Sequence, residues 1–230
     1  MSAPPPERSR LTPELLLRAY AAGIFPMSEG RNDPNLFWVD PELRCILPLD
    51  SFRVSRSLKK TIRSNKFEIR CNTEFETVIR ECASSIQGRG ETWINNEIIR
   101  AFCELHALGF AHSVECWRNG ALVGGLYGVG LAGAFCGESM FSRERDASKV
   151  ALVHLVARLR LGGIRLLDAQ FMTEHLRQFG AIEIPARDYL EMLNNALEIH
   201  ATFVPNPDAV RLDAELNALF CRTSADGTHD

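Results

Sequence analysis

The chain has 230 residues, 46% hydrophobic and 24% charged, with a formal net charge of −3. That suits one large domain, or a main domain with an appendage, of ordinary globular composition. With no window of 18 uncharged apolar residues, and no apolar signal core in the proline-rich start Met1 to Arg10, a cytoplasmic protein without a membrane segment is expected.

The first element is a helix opening at Leu11-Thr12-Pro13-Glu14, with Thr12 as cap and Pro13 at the first helical position. Leu15, Leu16, Ala19 and Tyr20 give it an apolar face, and Gly23 stops it. Phe25-Pro26-Met27 turns into a polar loop, Ser28 to Asn35. Phe37-Trp38 and Cys45-Ile46-Leu47 read as short strands that close a small module near Pro48. A basic helix from Ser55 to Ser64 and a strand from Phe67 to Cys71 follow. Glu74 to Ser84 is helical, Gln87 to Gly90 reads as a flexible loop, and Asn95 caps a helix running to Leu108. Asn119-Gly120 is a two-residue turn signal between strands Ser113–Trp117 and Ala121–Val129. A strand over Ala134 to Cys136 leads into a polar turn, Gly137 to Arg143, and then an amphipathic helix from Ala147 to Leu161. Ile164 to Leu167 is a buried strand, followed by a short helix from Thr173, a strand at Ile182–Ile184 and a helix from Arg187 to about His200. Beyond Val204 the patterning is weak, and Thr223 to Asp230 reads as a disordered tail.

This order predicts an α+β (mixed α/β) fold. It divides into a small N-terminal α/β module over 1–48, a main domain over 49–204 and a partly disordered tail over 205–230. The seven cysteines include no C-x-x-C pair and no close ligand spacing, so buried reduced thiols are expected and a metal site is not. Between Ser51 and Arg70 seven basic residues face only Glu68, a local charge of +6. Such a cluster is either a nucleic-acid footprint or a solvated helix face.

Four groups of residues carry candidate chemistry. Gly128 to Gly133 matches G-x-G-x-x-G, but position 153 is Val where a dinucleotide site needs an acid, so a glycine-rich hairpin is the better reading. Glu138 sits among Phe135, Cys136, Met140 and Phe141, where a carboxylate needs a partner or stays protonated. It is either a structural glutamate or a ligand for an amino group. Asp168 and Gln170 alternate onto one face at a strand end. Asp168 serves either in chemistry or as a cap for the helix at Thr173. Trp93 is a base-stacking platform or a core anchor, and His106 and His112 read as satisfied structural histidines.

Ordered motifs along residues 11–190 share one resemblance. They include Tyr20 to Met27, Ser55 to Leu58, Thr92-Trp93-Ile94, Leu122 to Val129, Gly137 to Arg143, Leu166 to Gln170 and Ala181 to Pro185. Together these are similar to the leucyl/phenylalanyl-tRNA–protein transferases. The resemblance implies a main domain related to the GNAT acyltransferases. It implies transfer of Leu or Phe, with Met as a further donor, from aminoacyl-tRNA to proteins with N-terminal Arg or Lys, which marks them for N-degron degradation. No cofactor or metal is implied, because the ester is already activated. Asp168, Gln170 and Glu138 take the catalytic positions. Leu126, Phe135, Met140, Met27, Trp93 and Ser139 take the substrate-binding positions, and Arg56, Lys59, Lys60 and Arg63 the tRNA phosphates. The chain departs from many relatives at Phe102, where they carry Tyr, and from some at Met27 (Trp) and at Thr173 (Asn). Two rivals are an acetyl-CoA N-acyltransferase of the same fold class and a non-catalytic RNA-binding module. The first needs a [QR]-x-x-G-x-[GA] turn, absent before the helix after Ser142. The second gives Glu138, Asp168 and Gln170 nothing to do.

Overall fold

A computed structural model describes residues 10–84 and 92–221. The expected loop at Gln87–Gly90 and the tail from Thr223 lie outside the described residues. Most helix starts follow their caps. Thr12 accepts from the Leu15 amide to open α1 (Pro13–Ala21), and Ser55 accepts from Leu58 to open α2 (Arg56–Arg63). Helix α3 (Phe75–Ala83) has no side-chain cap bond, whereas Asn95 accepts from Ile98 to open α4 (Asn96–Ala107). Gly23 ends α1 with φ +82, a conformation that favours glycine, and a Cβ there would meet Leu190 at 2.7 Å.

Phe25–Met27 is a strand, β1, and not a turn: it pairs antiparallel with β2 (Phe37–Val39). The main sheet has seven strands. After β3 (Leu43–Ile46) come β4 (Glu68–Cys71), β5 (Ala111–Arg118), β6 (Ala121–Leu131), β7 (Ala134–Ser142), β8 (Leu166–Gln170) and β9 (Ile182–Pro185), in the spatial order β4-β5-β6-β7-β8-β3-β9. Thus β3, the strand expected to close the N-terminal module, lies inside the larger sheet between β8 and β9. The β5–β6 hairpin turns on Asn119 and Gly120, at φ 51 and 77, the conformation a tight primed turn requires.

The polar segment Gly137–Ser142 continues β7 instead of forming a turn, because β6 pairs with it as far as Gly124–Ser142. Among the described residues the one parallel pairing of this sheet, β7 with β8, stops at Cys136–Asp168, so β7 runs on beyond its partner. Helix α5 (Ala147–Leu161) makes the crossover and is not amphipathic. Twelve of its fifteen residues are buried, His154 and Arg158 among them. It packs between the β5–β6 face and α8 (Ala209–Cys221), a helix where weak patterning was expected. Leu212, Leu216, Leu219 and Phe220 recur at helical spacing and close the α2–α5 face of the core. The other face holds α1, α3 and α4, and alternation on β6 sends Leu126 to one side and Tyr127 to the other. Short α6 (Glu174–Arg177) and α7 (Ala186–Leu197) complete the chain's described helices. The whole is a mixed α+β fold with a small N-terminal module and a larger sheet-containing body.

Candidate active site

Where β7 runs past the end of its ladder with β8, a cavity of about 530 Å³ opens. Its walls come from β1, β6, β7, β8, α5 and the β8–α6 connection. Leu126, Met140, Leu152, Leu155, Leu167 and Leu176 make one part strongly apolar. At its head lie Glu138, Ser139, Asp168 and Gln170, with Met27 and Trp93 on the rim. The sequence-predicted residues are therefore gathered together, apart from Phe135. That ring is fully buried and packs over Gly128, where a Cβ would come within 2.4 Å of it. Gly128 serves this close approach, consistent with a glycine-rich hairpin.

Glu138 is half-buried and faces the cavity. Its Oε1 accepts from the Tyr20 hydroxyl at 2.7 Å and from Gln170 Nε2 at 3.4 Å. Burial pushes its carboxyl up to about 8, the Asp168 charge adds to that rise, and the Tyr20 hydrogen bond opposes it. Tyr20 reads from sequence as part of the apolar face of α1; nothing local to it reveals that its hydroxyl reaches β7.

Asp168 is 0% exposed, and four donors surround its carboxylate. Oδ1 accepts from Arg44 Nε at 2.8 Å and from the Gln170 amide at 2.9 Å. Oδ2 accepts from Arg44 Nη2 at 2.6 Å and from the Tyr189 hydroxyl at 3.0 Å. Arg44, itself 1% exposed, also donates to the Gly23 carbonyl at 2.8 Å. Its guanidinium lies between the rings of Phe25 and Tyr189, at 4.8 and 4.4 Å. Burial works against the arginine's charge, but the bond and the charge of Asp168 outweigh it, and its pKa is raised. The alternative of Asp168 as a helix cap fails, because Thr173 Oγ1 accepts from the Leu176 amide and caps α6 itself. Gln170 stands at φ 56, left-handed and uncommon for this residue type, with its amide tied back to Asp168.

Trp93 is held by its carbonyl, which accepts from the Ser28 amide at 3.3 Å and the Ser28 hydroxyl at 2.7 Å. This leaves its half-buried ring at the cavity edge. Phe102 is wholly buried, edge-on to Tyr20 and Tyr127, and does not line the cavity. On α2, Arg56, Lys60 and Arg63 are exposed and Lys59 is half-buried. Lys59 donates to the Phe220 carbonyl, and Arg63 lies 5.2 Å over the Phe220 ring, so both turn towards α8. His106 Nδ1 donates to the Ala111 carbonyl at 2.7 Å, and the ring stacks on Phe75. His112 contacts Asn72, and burial lowers it to about 4. Both are structural. Six of the seven cysteines are at least partly buried, and all seven are free. No helix among the described residues is long and apolar enough to cross a membrane.

The chain belongs to the leucyl/phenylalanyl-tRNA protein transferase family. The family model matches residues 46–194, and the model of that family's N-terminal domain matches residues 9–42. A leucyl/phenylalanyl-tRNA–protein transferase of Paramagnetospirillum magneticum is 61% identical over 85% of this chain and 94% of its own. Proteins of the same name from Maricaulis maris and Rhodopseudomonas palustris are each 57% identical, over 86% and 89% of this chain and 91% and 90% of theirs.

Proposed function

For this member of a tRNA-dependent aminoacyltransferase family, we propose that the cavity joins the aminoacyl end of Leu-tRNA or Phe-tRNA to the N-terminus of a protein beginning with Arg or Lys. The added residue then marks that protein for N-degron degradation. The apolar part of the cavity, with Leu126 and Met140, takes the donor side chain. Trp93 and Met27 border the terminal nucleotide, and Ser139 lies beside the ester. Exposed Arg56, Lys60 and Arg63, with half-buried Lys59 beside them, meet acceptor-stem phosphates.

Aminolysis requires an uncharged amine. An α-ammonium ordinarily loses its proton near 7.7–8.0. Burial lifts the Glu138 carboxyl at the head of the cavity towards that range, which suits it to exchange a proton with the amine. The freed amine attacks the ester carbonyl carbon, the C–N bond forms and the bond to the ribose oxygen breaks. Of the two protons the nitrogen sheds, one neutralises the departing ribose oxygen and the other leaves through Glu138 to solvent. Gln170 donates towards Glu138 and orients it. Asp168, surrounded by donors, supports this pair from behind. The observation that carries the reading is the Tyr20–Glu138–Gln170 contact at the polar head of a cavity with an apolar wall.

The test is transfer of labelled Leu from Leu-tRNA to a peptide beginning with Arg, beside a peptide beginning with Asp and a reaction supplied with acetyl-CoA. Labelling of the Arg peptide alone is expected. Acetylation without leucylation would refute the reading, and equal labelling of both peptides would refute its acceptor choice.

A further inference from the structure

We propose that Arg44 is a positioning residue for the transfer reaction: with Tyr189 it fixes Asp168 as a scaffold that holds Gln170 in its left-handed conformation, facing Glu138. This rests on the reading of Glu138 and Gln170 given above. Arg44 lies on β3, outside the cavity wall: it meets the lining residues Asp168 and Phe25 from behind and makes no hydrogen bond to Glu138. Its fork is spent on Asp168, and its remaining reach on Gly23 and the Tyr189 hydroxyl, the last at 3.3 Å.

The geometry runs in one direction. Arg44 Nε and the Gln170 amide share the same oxygen, Asp168 Oδ1, so the guanidinium sets where that oxygen stands. The oxygen in turn anchors the amide of a residue at φ 56, a backbone state that needs such an anchor in a non-glycine residue. From there the Gln170 side chain reaches Glu138 at 3.4 Å. Lysine cannot replace the fork, because a point charge lacks its two parallel donors. The clamp also ties the N-terminal module to the site, since the arginine bonds Gly23 and stacks beside Phe25.

Removing the arginine alone strands a buried carboxylate and threatens folding. The working variant is therefore the neutral pair Arg44→Gln/Asp168→Asn, with Arg44→Lys as the milder partner. Each is assayed with the full chain in single-turnover Leu transfer to the Arg peptide, alongside melting temperature. Both folded variants should lose about tenfold or more in the transfer rate, with KM for the peptide and for Leu-tRNA changed less than about threefold. In a Gln170→Ala background Arg44→Lys, which keeps both charges in place, should add less than about twofold, because Arg44 acts through Gln170. A folded variant with near wild-type transfer rate overturns the proposal. So does a full additional loss on top of Gln170→Ala, which would give Arg44 a route of its own. The site reading fails separately: it falls if Gln170→Ala and Glu138→Gln themselves transfer normally.

Discussion

Replacing Glu138 with Gln keeps the shape of the side chain and an oxygen for the Tyr20 hydroxyl, while removing its titration. In the folded chain the carboxyl binds a proton up to about pH 8, whereas its ordinary value is 4.5. Between those two values the native state holds a proton that the unfolded chain has released. Stability therefore falls with rising pH, by at most about 1.4 kcal/mol per unit from this one group. The contribution is complete below 4.5, is lost progressively above it and levels off once pH passes about 8. The cavity mouth admits some solvent screening, which brings the integrated loss to roughly 2–4 kcal/mol. Urea unfolding of wild type and Glu138→Gln at half-unit steps from pH 5 to 9 isolates the effect, because titrating groups that do not interact with Glu138 cancel in the difference. The variant should gain on the wild type steadily up to pH 8 and run parallel to it beyond. A difference that stays flat across the series would mean that Glu138 titrates as an ordinary carboxylate, and the matched-proton argument for the transfer chemistry would go with it.

Three further outcomes are expected. Arg56→Ala/Lys60→Ala should lower the slope of log K against log salt for aminoacyl-tRNA binding by roughly two, with an unchanged melting temperature; filter binding across a salt series that leaves the slope intact removes α2 from the interface. Leu126→Phe should cost Phe-tRNA transfer more than Leu-tRNA transfer, by ~1–3 kcal/mol of overpacking, and equal kcat/KM losses for both donors would place the side-chain pocket elsewhere. Phe220→Ala should destabilise the fold by about 3–5 kcal/mol in urea titration, since the ring closes the α2–α5 face and lies under Arg63. A loss below about 1 kcal/mol would mean that α8 is not docked in solution.

What the sequence made legible follows from the range of its signals. Caps act over three residues and turns over two, so Thr12, Ser55, Asn95, Thr173 and Asn119-Gly120 announce their elements directly. Glu138, Asp168 and Gln170 stood out because polar groups in apolar strands need a reason. The same polarity misled the reading of Gly137–Ser142 as a turn, for the residues that break the apolar pattern of β7 face a cavity instead of a core. Arg44 was invisible. A single arginine in Leu-Arg-Cys-Ile looks like an edge-strand charge, and the carboxylate that explains it lies 124 residues away. Phe135 was placed in the cavity by the resemblance; its ring is instead buried over Gly128, where a Cβ would come within 2.4 Å of it. Helix α8 had a readable period in Leu212, Leu216, Leu219 and Phe220; the proline-rich approach from Val204 to Asp208 obscured it.

The place of β3 in the sheet fixes the order in which the protein can mature. This strand leaves the ribosome early, yet both of its neighbours, β8 and β9, are made more than a hundred residues later. At about 5–20 residues per second, β3 and its arginine wait on the order of ten seconds with two bare edges and an unmatched charge. Pairings this distant in sequence are also the slow ones to close. Insertion of β3 between its neighbours is therefore a late event, and the same event brings Arg44 to Asp168. A nascent or partly folded chain lacks the Arg44–Asp168 contact. Competence to modify other proteins arrives only with completion of the fold.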